Sequence, residues 1–234
     1  VTCLAVEEGA WGGLAHTGNP LQPHGANVHV YACGGLPQEM EYSALPVDML
    51  RLARAAPHEV RGREPHDPEH PVLDDATALR VTELALALEE AEGHPLSLTW
   101  VCAPGGRVRL LLVRPMMLAA DADALPAPDE AAPPPLLAGG VTVNPGRACG
   151  PAMPVRTWED ARRFPQGGIL VLPDDSYLWA SLIDRAAGVI AKRGLLGSRL
   201  GSLTREFGKP ALFGLKNALE NLSKGQKITL CADL

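Results

Sequence analysis

Residues 192–214 read KRGLLGSRLGSLTREFGKPALFG. Gly194 and Gly197 bracket a loop, and Ser198 stands where a helix cap belongs. A helix is expected from Ser198 to about Phe207, stopped by Gly208 and Pro210. Ala211–Phe213 then reads as a short strand. A loop that runs into a helix start offers backbone N–H groups and the positive end of the helix dipole, which favour anions. Ser198 adds a hydroxyl, Arg199 a guanidinium fork, and Lys192 and Arg193 positive potential. The competing expectation is a surface ion pair between Arg199 and Glu206 or Asp184, worth about 0–1 kcal/mol.

Working outward, strands and helices alternate. Gly168–Leu172 (GILVL) is a continuous apolar run suited to a buried strand. Asp174, Asp175 and Ser176 offer caps for a helix over Tyr177–Ala186, and Gly188–Ala191 is a second apolar strand. Lys227–Leu230 reads as a further strand, with a short helix around Asn217–Leu222 before it. Residues 139–234 are therefore expected to form a layered α/β domain. Upstream, residues 116–138 (MMLAADADALPAPDEAAPPPLLA) are rich in alanine and proline and read as a semi-rigid spacer. It separates a first segment, residues 1–115, from the second.

Composition sets broad limits. Of 234 residues, 46% are hydrophobic and 21% charged, enough apolar content to bury a core in one large or two small domains. A formal net charge of -6 argues against nucleic acid as a partner. No apolar run reaches the roughly 18 residues of a membrane helix, so no membrane partner is expected. No secretory leader is visible, and the start at Val1 without methionine reads as a trimmed chain or a piece of a longer polypeptide. The cysteines at 3, 33, 102, 149 and 231 are odd in number and lack C-x-x-C spacing, so no metal site is expected. They read as buried free thiols in a reducing, cytoplasmic setting.

In the first segment, residues 75–92 suit an amphipathic helix with Val81, Leu84, Ala85 and Leu88 on one face. Asp48 reads as the cap of a helix over Asp48–Ala56. Arg51, Arg54, Arg61 and Arg63 with the histidine-proline stretch to Pro71 suggest an exposed excursion. His66 and His70 have helical ligand spacing, but Pro65, Pro68 and Pro71 make a loop the better reading. Trp100, Trp158 and Trp179 are expected in the core, and Glu89, Glu90 and Glu92 at a solvated helix end. GGLPQE (34–39) lacks the lysine of a phosphate-cradling P-loop.

The stretch SRLG…REFGKPALFG (198–214) resembles the swivelling phosphohistidine domain of phosphoenolpyruvate synthase and pyruvate phosphate dikinase. That pattern is G-G-x-T-S-H-A-A-I-V-A-R-E-x-G-I-P-A-V-x-G, whose histidine carries a phosphoryl group between two active sites. VNPGRACGP (143–151), TWEDARRF (157–164) and QGGILVLP (166–173) resemble its entry turn, following helix and strand. The first segment resembles, more loosely, the end of the family's ATP-grasp region. GLAHTGNP (13–20) is similar to G-V-M-F-T-R-D-P, Gly35-Leu36-Pro37-Gln38 to G-L-G-E, Leu98-Thr99-Trp100 to I-E-W, and RVRLLLVRP (107–115) to a strand ending Q-A-R-P. The resemblance implies an α/β chain: a partial ATP-grasp-like lobe followed by a β/β/α swivelling domain.

The same alignment removes the family's chemistry. Ser198 matches the serine, but Arg199 stands at the phosphohistidine position, and a guanidinium remains protonated and cannot attack phosphorus. All seven histidines lie at His94 or earlier, so no neighbour can substitute. Thr99 replaces the metal-binding carboxylate and Leu112 the glutamine; leucine cannot ligate Mg²⁺. Gly18, Asn19 and Gln38 replace an arginine, an aspartate and a glutamate, while Arg114 and Asp48 remain. Arg114 is as well suited to pairing with a structural carboxylate as to touching phosphate, so Arg114, Ser198 and Arg199 remain as weak phosphate-binding candidates. No catalytic residue, metal or cofactor is expected, although the family uses Mg·ATP. The expected function is a non-catalytic relative, a pseudoenzyme acting as a structural or regulatory module with other domains or subunits. The alternative is a phosphotransferase component whose histidine and nucleotide site come from another domain or chain.

Overall fold

The computed structural model describes residues 11–23, 25–42, 46–103, 105–119 and 134–232. The greater part of the alanine- and proline-rich stretch, residues 120–133, lies outside them, as does Cys3. The chain divides into two compact units, Val1–Met116 and Met117–Leu234. Both are mixed α/β, each built on a six-stranded sheet.

In the first unit the strands are β1 (Trp11–His16), β2 (Asn27–Cys33), β3 (Asp48–Ala53), β4 (Val60–Glu64), β5 (Leu96–Ala103) and β6 (Arg107–Pro115). They run in the order β4-β3-β2-β1-β5-β6, antiparallel throughout. A short helix, α1 (Glu39–Tyr42), follows β2, and the long α2 (Asp75–Glu92) packs on one face. Asp74 caps α2 through its side chain, and Gly93 ends it at φ 77°, a left-handed conformation natural to glycine. Strand alternation aims Ala15, Val30, Leu50, Leu52, Leu98 and Trp100 at Ala78, Val81 and Ala85 of the helix.

Several expectations for this unit are corrected. Asp48–Ala53 is a strand rather than a helix, because DMLRLA alternates buried Leu50 and Leu52 with exposed Arg51. Asp48 caps no helix: its fully buried carboxylate accepts from His66 N (2.9 Å), Val72 N (2.6 Å) and Leu73 N (3.3 Å). That carboxylate fixes the 65–74 loop, where His66 and His70 stay exposed. Arg51, Arg61 and Arg63 sit on β3 and β4 rather than on an excursion. Glu89 is buried instead of solvated, because Arg54 grips both its oxygens. The buried face of α2 also includes Thr77, Thr82 and Glu89, which turns it away from Leu84, 41% exposed.

The second unit contains β7 (Val141–Asn144), β8 (Gly146–Pro154), β9 (Ile169–Leu172), β10 (Gly188–Ala191), β11 (Ala211–Phe213) and β12 (Lys227–Ala232). Their order is β12-β8-β9-β10-β11-β7. The run β8 to β11 is parallel, and the edges β12 and β7 are antiparallel to their neighbours. Both faces are covered, as parallel strands require. Leu170, Leu172, Val189 and Ala191 meet Trp179, Ile183 and Leu200 on one side. Ile169, Val171 and Ile190 meet Leu215, Ala218 and Leu222 on the other. Helices α3 (Trp158–Arg162), α4 (Arg199–Glu206) and α5 (Ala218–Asn221) complete the unit.

Tyr177–Ala186 does not form the expected α-helix; Tyr177–Leu182 is a 3-10 helix, whose threefold repeat buries Trp179 and Leu182 together. Trp158, expected in the core, is 60% exposed at the first turn of α3 and leans on Trp179 at 5.2 Å. Cys33 and Cys102 are buried as expected, whereas Cys149 and Cys231, near the other end of β8 and β12 from the buried Met153, are exposed. No described helix is long and apolar enough to cross a membrane.

Asp48→Ala would remove the acceptor of three backbone N–H groups, of which that of buried Leu73 has no water to turn to, while those of half-buried Val72 and exposed His66 do. An unsatisfied buried N–H costs about 1–3 kcal/mol. Urea unfolding should show a loss of about 1–3 kcal/mol in the first unit's transition. A loss below about 1 kcal/mol would mean that the carboxylate does not hold the loop.

Candidate functional site

Parallel strands present their carboxyl ends as a binding edge. In the second unit that edge carries two loops, 173–176 after β9 and 192–198 after β10. Asp174 accepts from Ser176 N at 3.1 Å, closing a local turn. Asp175 reaches across to the other loop, accepting from Leu195 N at 2.8 Å and bonding the Ser198 hydroxyl. Lys192 pairs with Glu220, and Arg193 stands 3.8 Å from Asp174. The loop has no slack at Gly194, where a Cβ would lie 2.8 Å from the Phe213 ring and 3.0 Å from Asp175 Cβ.

Ser198 caps α4, its hydroxyl accepting from Gly201 N at 3.1 Å. Gly201 is required by the fit against β7: a Cβ there would meet Val143 Cγ1 at 2.9 Å. Arg199, the first residue of α4, lays its guanidinium over the Tyr177 ring, 4.5 Å from the centroid. This is cation–π geometry, and it leaves the guanidinium face apolar while its N–H edges lie in plane.

Burial is the larger influence on Asp175 and holds its carboxyl above the usual aspartate range, with Asp174 adding to the rise. The Leu195 N–H and the Ser198 hydroxyl oppose that rise. The site thus contains a carboxylate pressed against the helix start.

Arg205 is a residue of the site that the sequence does not mark as one. Nearly buried, it donates through Nε to Met117 O (2.8 Å), through Nη1 to Val143 O and Leu196 O (both 3.1 Å), and through Nη2 to Ser202 Oγ (3.3 Å). The REFG run marked its position, but only tertiary structure shows which carbonyls it gathers.

In the first unit, Thr99 and Leu112 are direct cross-strand partners between β5 and β6. Arg114 lies two residues beyond Leu112, on the same face and opposite Ser97. The row continues through His16, His29 and Arg51 on β1, β2 and β3. This face is opposite the one that packs α2. Burial lowers the pKa of His29 most, while the Gly18 backbone bond opposes the shift. Asp48 is one residue out of phase with Met49 and lies on the α2 side, apart from this row. Asn19 accepts from Leu21 N in the turn after β1, and Gln38 is exposed. The structure therefore brings Thr99, Leu112 and Arg114 together and leaves Asp48 outside the group. Among the described residues no cluster of three or more histidine, cysteine or acidic side chains could hold a metal.

Residues 164–233 match the mobile domain of phosphoenolpyruvate-utilising enzymes. The chain is 26% identical over 191 residues to a phosphoenolpyruvate synthase of Aeropyrum pernix, covering 77% of this chain and 23% of that protein. A phosphoenolpyruvate synthase of Pseudomonas aeruginosa is 27% identical over 169 residues, 69% of this chain and 21% of its own length. An uncharacterised phosphotransferase of Bacillus subtilis is 33% identical over 91 residues, 39% of this chain and 11% of its own. The chain thus spans less than a quarter of the length of these relatives.

A carboxyl whose native pKa is raised binds more protons folded than unfolded over the window above the ordinary aspartate value. Stability contributed by that carboxyl should therefore fall as pH rises through the native pKa. Asp175→Asn keeps an acceptor for Leu195 N but cannot ionise. Its stability relative to wild type should rise between roughly pH 4 and pH 7 in thermal unfolding. A relative stability that falls over that range would refute the raised pKa.

Proposed function

For a chain that is phosphoenolpyruvate synthase- and pyruvate phosphate dikinase-like, we propose a non-catalytic role: the family scaffold kept as a structural or regulatory module of a larger assembly. On this reading unit 2 is the β/β/α swivelling domain and unit 1 the C-terminal part of an ATP-grasp-like lobe. The observation that carries it is Arg199, placed in the first turn of α4 where the phosphoryl-carrying histidine would be expected, and stacked on Tyr177. A neutral imidazole can attack phosphorus near neutral pH; a guanidinium cannot. No histidine follows His94, so no phosphohistidine can form in unit 2.

Two further features support the same reading. Ser198 spends its hydroxyl on Gly201 N and Asp175, and the Asp175 carboxyl already bonds the loop that a transferred phosphoryl group would approach. An outside anion would thus rely on Arg199 while meeting an adjacent carboxylate. In unit 1 the cross-strand pair next to Arg114 on the same face is Thr99 and Leu112, the latter 48% exposed, and a hydrocarbon side chain gives Mg²⁺ no oxygen ligand.

Isothermal titration with Mg·ATP should show no binding at micromolar concentrations. Incubation with β- or γ-labelled ATP, or with labelled phosphoenolpyruvate, should leave no acid-labile label on the chain. Arg199→His should not restore turnover, because Thr99 and Leu112 remain. Label retained by the wild-type chain would overturn the proposal and favour a phosphotransferase component.

A further inference from the structure

The ladder between β8 and β12 places two exposed thiols on one side of the sheet. Cys149 is opposite Thr229, and Cys231 is opposite Arg147. Cys149 and Cys231 are thus diagonal neighbours whose side chains leave the same side of the sheet. Between them, Ala148 and Leu230 turn to the other side, into the layer containing Ile169 and Ile190. Both thiols are free and exposed. β12 is an edge of its sheet, paired among the described strands with β8 alone.

Diagonal neighbours in an antiparallel pair have Cα atoms about 7–8 Å apart, with the Cβ atoms somewhat closer. A disulfide needs Cα atoms within about 4.4–6.8 Å, so this ladder would have to deform to form one. A bridging atom relaxes that requirement. Two metal–sulfur bonds of about 2.3 Å hold their sulfurs up to about 4.6 Å apart, and χ1 rotation can turn the two thiols toward each other.

We propose that Cys149 and Cys231 form a two-thiol chelate for thiophilic species, soft monovalent cations such as Cu(I) and trivalent arsenicals. Thiolate sulfur is the ligand such soft centres prefer. With Cu(I), both thiols lose a proton and a bis-thiolate anion forms. Arg147 and Lys227, placed along the same face, supply positive charge beside that anion. With an arylarsine oxide, the As–O linkage is replaced by two As–S bonds, and the two thiol protons leave with the oxygen as water. No redox change is involved in either case.

The test uses the full chain carrying Cys3→Ser, so that the remaining thiols are Cys33, Cys102, Cys149 and Cys231. Cys33 and Cys102 are buried, and burial pushes the Cys33 thiol up to about 11, which keeps it unreactive near neutral pH. Native mass spectrometry with phenylarsine oxide should show one arsenical per chain, stable to a monothiol and removed by a dithiol. Cys149→Ser and Cys231→Ser should each weaken binding by about 100-fold or more, since losing one arm removes the chelate advantage. Alanine at either position should give the same loss, with the melting temperature checked for every variant. Unchanged binding in either single variant would overturn the proposal.

Discussion

The Arg205 guanidinium ties together three stretches of the second unit. A cation nearly removed from water must have its donors satisfied, and Arg205 meets that requirement with carbonyls from three separate stretches, at Met117, Val143 and Leu196. Those contacts join the start of the unit, the edge strand β7 and the loop ahead of α4. The loop that carries Ser198 and Arg199 is thereby fixed from below, while Asp175 fixes it from the side through Leu195 N. Gly194 and Gly201 permit the close approach that both contacts need. The helix start is a rigid position because buried charges hold it, independently of the residue found at 199.

That rigidity separates scaffold from chemistry. A phosphoryl-carrying side chain needs a nucleophilic nitrogen and room for an anion of about two negative charges. The helix start instead has a guanidinium laid on an aromatic ring and a carboxyl bonded to the capping serine. Arg199 lies over Tyr177 while Leu200 beside it enters the core. On the proposed reading, chemistry at this position was lost without loss of the fold.

The parts legible in the sequence were those specified locally. The apolar runs at 169–172 and 188–191, the Ser198 cap, the stop at Gly208 and the strand 107–115 each depend on a few adjacent residues. What the sequence concealed depended on partners far along the chain. Glu89 resembled the solvated end of a helix until Arg54, 35 residues earlier, turned it into a buried ion pair. Asp48 looked like a cap because caps are the common use of an aspartate ahead of apolar residues. Its three donors come from 18 to 25 residues downstream. At the candidate site the identity of residue 199 was readable, but its seat on Tyr177 and the reach of Asp175 were not, since both cross between loops that follow different strands.

The first unit shows the same separation by a different route. Thr99 and Leu112 face each other on β5 and β6, and Arg114 follows on the same side of the sheet. A sheet face tolerates such exchanges well, because strand pairing is made by the backbone and each outward side chain contributes mainly to its own neighbours. The opposite face is less permissive: Leu98 and Trp100, on either side of Thr99, are almost fully buried against α2. Alternation thus divides one strand into residues that pack against α2 and residues on the opposite face. On the proposed reading, selection maintained the first set in both units after it had stopped maintaining the second. The retained surface would then serve contacts with the rest of an assembly.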